Sequence, residues 1–156
     1  MCASLLDDCL HYGANLGAFV VMPHHIHFLA RLPESMNVSQ LVERIKSNAA
    51  KRVLPHIGPE FRGLRQQTGL NRRSFWQRSF RSIAITHPDA FWIKVRYIHD
   101  NPVRAGLTTS AESYPFGSRK FWADLWDESR GLVFTRELVA AFAPLDLVDI
   151  FAKPPP

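Results

Sequence analysis

Cysteine is nearly missing from the 156-residue chain, with Cys2 and Cys9 as the whole complement. Two thiols cannot build a disulfide framework and match no zinc spacing, so a reducing cytoplasm is the expected setting, with nucleoid association if the partner is DNA. No run approaches eighteen consecutive apolar residues, which argues against a membrane span. The opening Met1-Cys2-Ala3-Ser4-Leu5-Leu6-Asp7-Asp8 carries acid where a secretory signal carries base, and lacks an apolar run of useful length. Internal repeats and low-complexity tracts are absent as well. What remains is ordinary globular usage, 46% apolar and 21% charged, in a length that suits one domain over residues 1–156.

The positive charge is concentrated. Residues 44–104 hold 13 Lys and Arg against three acids, a surplus of ten in a chain whose formal net charge is +5. A basic centre between acidic ends suits a polyanion, because each phosphate contact releases counterions; a merely solubilising surface is the alternative.

Periodicity outlines an α+β chain. Residues 1–15 read as a helix and a turn, with Leu5, Leu6, Cys9 and Leu10 as its apolar stripe. Leu16 to Met22 reads as a short buried strand and His25 to Arg31 as a second, joined by a tight turn at Pro23-His24. Asn37 with Gln40 predicts a capped helix that buries Val38, Leu41, Val42, Ile45 and Ala49 and leaves Arg44, Lys46, Lys51 and Arg52 toward solvent or a partner. Partial alternation from Phe75 to Ile85 predicts another strand. Thr86-His87-Pro88-Asp89 starts a helix with Thr86 as cap; its apolar side is Phe91, Trp92, Val95, Ile98 and His99, and Pro102 ends it. A core over about 16–120 is then followed by a C-terminal helical extension over about 132–152, capped at Thr135.

Two constellations could do chemistry. Residues two apart on a strand share a face, so His25 and His27 lie side by side and can hold one divalent metal; two partly exposed strand histidines are the alternative. Tyr97 and Asn101 stack on one helical face with Lys94 on the adjacent turn. A phenol is a poor nucleophile unless a cation or base assists it, and an Asn oxygen is a plausible ligand for a hard divalent ion. A packing tyrosine and a polar end-cap are the bland readings of the same two residues. A zinc hydrolase is the poorer reading, since Glu34, the nearest downstream carboxylate, lies past the expected strand end.

Met22-Pro23-His24-His25-Ile26-His27-Phe28-Leu29 resembles the His-hydrophobic-His segment of the IS200-like tyrosine (Y1, HUH) transposases. Trp76-Gln77-Arg78-Ser79-Phe80 and Tyr97-Ile98-His99-Asp100-Asn101-Pro102-Val103-Arg104-Ala105-Gly106-Leu107 resemble the branch called REP-associated tyrosine transposases. The resemblance implies a ferredoxin-like antiparallel sheet with packed helices, and a single-stranded DNA endonuclease and strand transferase acting on hairpin-forming repeats. Tyr97 would be the nucleophile, forming a 5′-phosphotyrosine link. His25, His27 and Asn101 would hold Mg²⁺ or Mn²⁺. Lys46, Lys51, Arg52, Arg72, Arg73, Arg78, Lys94 and Arg104 would follow the phosphates, with Trp76 stacking a base or else packing in the core. The expected partner is single-stranded or hairpin DNA, bound by a monomer or homodimer.

The chain departs from the family pattern in three places. The strand that usually opens the domain has no counterpart before the first helix, and its loss from a central position would expose two strand edges unless another segment or subunit fills the gap. His24 stands where Asn is common and offers a competing ligand. Pro55 to Ser74 does not align. A truncated relative that only binds hairpins is therefore the alternative function.

Overall fold

Strand alternation, a capping box and a proline-started helix account for most elements of the computed structural model, which describes residues 1–56, 75–120 and 145–152. The elements are helix α1 (Cys2–His11), strands β1 (Asn15–Val21) and β2 (His25–Arg31), helix α2 (Val38–Val53), strand β3 (Trp76–Ile85), helix α3 (Pro88–Arg104) and strand β4 (Leu145–Ala152). At the start of α2 the Asn37 side chain accepts the Gln40 N–H at 3.0 Å, and the Gln40 side chain accepts the Asn37 N–H at 2.9 Å. Two backbone donors that a helix N-terminus leaves orphaned are satisfied by that exchange.

The sheet is antiparallel, in the order β1-β2-β4-β3. Helices α1 and α2 cover one face, where Leu5, Phe19, Phe28, Leu41, Ile45 and Val148 form a core. Helix α3 covers the other, through Ala18, Val20, Leu29, Phe91, Val95 and Ile98. Adjacent strand residues alternate between the two cores, as a sheet packed on both sides requires. This is the expected α+β, ferredoxin-like arrangement. Among the described residues no helix is long and apolar enough to cross a membrane.

The structure corrects four sequence expectations. The helical extension does not reach 152: Leu145–Ala152 is a strand, and 121–144, including Thr135, lies outside the described residues. Leu145-Asp146-Leu147-Val148-Asp149-Ile150-Phe151-Ala152 is apolar at six of its eight positions, three of each parity, which suits an interior strand with both faces covered. It lies between β2 and β3, antiparallel to both, in the central place that the missing opening strand was expected to leave bare. The core accordingly extends beyond 16–120, to Leu5, Cys9 and Val148. Thr86 is not the cap of α3, which starts from His87 without a side-chain cap bond. Nor does Pro102 end that helix; it sits within it, and the chain turns at Gly106 with φ 68°. The N–H groups of Gly106 and Leu107 reach the carbonyls of Val103 and Pro102, both at 2.9 Å, so the stop is a Schellman turn that needs a glycine.

Candidate functional site

Strand β2 places His25 and His27 on the α3 face, two residues apart, with ring centroids at 4.5 Å and planes at 75°. His27 is buried and His25 half-buried. Helix α3 brings the Tyr97 ring to 5.4 Å from the His27 ring, edge to face. One turn before Tyr97, the Lys94 ammonium lies 5.8 Å from its ring centroid; two turns after it, the Arg104 guanidinium carbon lies 6.0 Å away. Positions three, four and seven apart share a helical face, which is why Lys94, Tyr97, Asn101 and Arg104 converge. The Asn101 amide nitrogen donates to the Tyr97 carbonyl at 2.7 Å, which leaves the amide oxygen available as an acceptor.

That donor set suits a hard or borderline divalent ion. Two imidazoles stand on one strand face, an amide oxygen stands on the facing helix, and no thiol is among them. Among the described residues no group of three His, Cys, Asp or Glu side chains is gathered. His24 is exposed in the turn before His25.

Other predicted site residues are placed differently. Trp76 is only 6% exposed, belongs to the α1/α2 core and donates its indole N–H to the Lys46 carbonyl at 2.9 Å, so it packs and does not offer a stacking face. Lys46 is engaged within the fold. Its ammonium donates to the Gln77 and Ser79 carbonyls at 2.9 and 3.1 Å, where β3 slips register against β4, and burial lowers its pKa. Arg52 pairs with Asp7 of α1 at 2.9 Å, and Lys51 is exposed. All three lie on α2, across the sheet from Tyr97. Arg72 and Arg73 lie outside the described residues, as does the side chain of Arg78.

Sequence reasoning placed His99 on the apolar side of α3 and saw no role for Ser118. In the structure His99 is 3% exposed, and its Nε2 lies 2.8 Å from the Ser118 hydroxyl. That hydroxyl accepts the Phe19 N–H at 2.9 Å, and Ser118 N–H donates to the Phe19 carbonyl at 2.9 Å. The chain after α3 is thereby tied to β1, and through His99 so is the helix that carries Tyr97. Desolvation, then the Arg119 charge, opposed by Glu112, push the His99 pKa down from 6.5 to about 4. Between those values an unfolded chain holds the proton that the folded chain refuses. Stability is therefore expected to fall as pH drops from about 6.5 toward about 4. Urea titrations at several pH values should show that slope, and His99→Gln should remove it. Ser118→Ala should cost about 1–3 kcal/mol at pH 7, since the buried Phe19 N–H loses its acceptor.

The comparisons bear on this geometry. A family model described as "Transposase IS200 like" matches residues 3–101, which span α1, both His residues and the Tyr97 helix through Asn101. A REP-associated tyrosine transposase of Haemophilus influenzae is 29% identical over 133 residues, 80% of this chain and 71% of that protein. A solved REP-associated tyrosine transposase, determined bound to a REP hairpin, superposes with a TM-score of 0.58 at 23% identity. That alignment covers 83% of this chain and 66%, just under two thirds, of the solved one, and supports the shared fold. The extent of the family match, over a site whose histidines and tyrosine the fold brings together, settles the assignment: the chain belongs to the IS200-like transposase family.

Proposed function

We propose that the protein is a single-stranded DNA endonuclease and strand transferase acting on hairpin-forming repeats through a 5′-phosphotyrosine intermediate. The observation that carries this reading is the approach of the Tyr97 ring to within 5.4 Å of His27, on the face that also presents His25. His25, His27 and Asn101 would hold Mg²⁺ or Mn²⁺, which supplies Lewis-acid polarisation of the scissile phosphate when bound. Tyr97 Oη attacks the phosphorus, the bond to the 3′ oxygen breaks, the phenol proton passes to solvent and the 3′ oxygen takes up a proton. Rejoining reverses the step on a second 3′-hydroxyl, with the phenolate leaving, so the phosphoester bond is retained for transfer. Lys94 and Arg104 flank the ring, where they can compensate charge on phosphate and phenolate alike. The relatives carry the REP-associated name and one was solved on a REP hairpin, which supports hairpin DNA as the substrate class.

The test is incubation with labelled single-stranded hairpin DNA and Mn²⁺, read on a denaturing gel for a slower, protein-linked band. A clean native gel shift with no such band would assign the chain to hairpin binding alone. Lys94→Gln and Arg104→Gln should each reduce the salt slope of hairpin binding by about one, whereas Lys51→Gln, across the sheet, should change it less. Wild-type slopes in both Lys94→Gln and Arg104→Gln would mean that the α3 face does not meet the backbone.

A further inference from the structure

We propose that Phe116 is a stacking platform for an unpaired DNA base at the end of the sheet where Tyr97 acts. This rests on the reading of the chain as a single-stranded DNA transferase, and adds to it the aromatic face that Trp76, packed in the core, does not offer. Bonding on both sides holds the ring in place. Gly117 bridges Val20 on the outer edge of β1. Beside that bridge the Phe116 carbonyl accepts the Val21 N–H at 2.8 Å, and the Ser118 N–H donates to the Phe19 carbonyl at 2.9 Å. The approach needs a glycine, since a Cβ at 117 would stand 3.3 Å from the Phe19 carbonyl oxygen and 3.4 Å from Val20 Cγ2. Two residues before the ring, buried Tyr114 donates its hydroxyl to the Val21 carbonyl at 2.8 Å. A segment so anchored has little freedom left to lose on binding.

The side chain takes no part in that bonding. Phe116 is 54% exposed, and is the aromatic member among the exposed large apolar side chains of the described residues. Its ring meets Tyr114 edge to face, with centroids at 5.7 Å and planes at 82°, which leaves at least one ring face open. A solitary exposed apolar residue is ordinary, and covering the β1 edge needs only the backbone. The rigid anchoring and the location are what single this ring out. Val21 and Met22 lie between it and the histidines: the Val21 N–H reaches the Phe116 carbonyl and the Met22 N–H reaches the His25 carbonyl, both at 2.8 Å. Two strand spacings, about 10 Å, separate those backbones. Helix α3 runs toward the same end, from Phe91 beside Gly17 to His99, which Ser118 ties to Phe19, and on to Arg104. A strand with a phosphate at Tyr97 and Arg104 can thus lay a neighbouring base on Phe116. Every unpaired base has a π-face to offer, whatever its identity, whereas a paired and stacked one does not.

The experiment uses the full chain and a DNA hairpin with a single-stranded tail on each side of the stem, beside the same hairpin without tails. Phe116→Ala and Phe116→Leu should weaken binding of the tailed hairpin by about 5- to 100-fold, and Phe116→Trp should keep it. Binding of the untailed hairpin should match the wild type in all three. A second readout does not depend on the folding of any variant. With 5-iodouracil placed at one tail position at a time, irradiation of the wild-type complex should crosslink a tail base to Phe116, in the tryptic peptide Ala105 to Arg119. Unchanged affinity for the tailed hairpin in Phe116→Ala, or crosslinks confined to other residues, would overturn the proposal and leave the transferase reading standing. A wild type that binds neither DNA would overturn that reading itself. A dimer that becomes a monomer in Phe116→Ala, with tail affinity unchanged, would assign the ring to a second copy of the chain.

Discussion

Tyr97→Phe is expected to abolish the covalent protein–DNA band while hairpin affinity and Mn²⁺ affinity stay at wild-type values. The change removes one oxygen and keeps the ring that packs edge to face on His27, so the surroundings of both histidines should persist. Because the hydroxyl is the only attacking group in the proposed step, cleavage should fall by about 10³-fold or more, with no compensating change in binding. Single-turnover cleavage and a native gel shift on the same hairpin separate the two quantities. Residual cleavage at the wild-type rate would mean that water or another side chain attacks the phosphate.

The second large effect concerns β4. Val148→Asp should destabilise the protein by about 3–5 kcal/mol, a large share of the stability of a domain this size. Val148 is fully buried against Phe28 and its neighbours, with no described cation in that core to pair with a carboxylate. Ending the chain at residue 144 should be worse, because β2 and β3 then lose the strand that pairs with both of them. Two bare inner edges would face each other across the gap and would recruit other chains. Thermal unfolding by circular dichroism, with size-exclusion chromatography for association, reads both variants. A truncated chain that melts and elutes like the full one would contradict the central position of β4.

The contrast between β2 and β4 shows what the sequence made legible. His25 to Arg31 combines strand character with a turn signal before it, and β2 spans that stretch. Asn37 and Gln40 announce α2 because both halves of a capping box are local in the chain. Leu145 to Ala152 carries a comparable strand signal, yet it stands far from the strands it joins, and a helical reading continued through it. Pro102 misled for a related reason: the rule for a residue before proline is a preference, and the helix continues to a glycine that can take positive φ.

The candidate site divides in the same way. His25 and His27 follow from strand parity, and Lys94, Tyr97 and Asn101 from helical spacing, so their convergence within each element was readable. Lys46 and Trp76 look identical in sequence to residues that meet DNA. Their employment between α2 and β3 depends on contacts about thirty residues apart, which no local pattern encodes. His99 was assigned correctly to a buried side, but its partner Ser118 is nineteen residues on, beyond the helix that a local pattern describes.

The most direct measurement is the identity of the residue that carries DNA after reaction with a hairpin and Mn²⁺. Trypsin should release the peptide from Tyr97 to Arg104, since Arg96 and Arg104 bound it. Mass spectrometry after nuclease trimming should find that peptide heavier by a 5′-phosphonucleoside on Tyr97. An adduct on Tyr12, on Tyr114 or on any other residue, or cut DNA with no adduct at all, would contradict Tyr97 as the nucleophile.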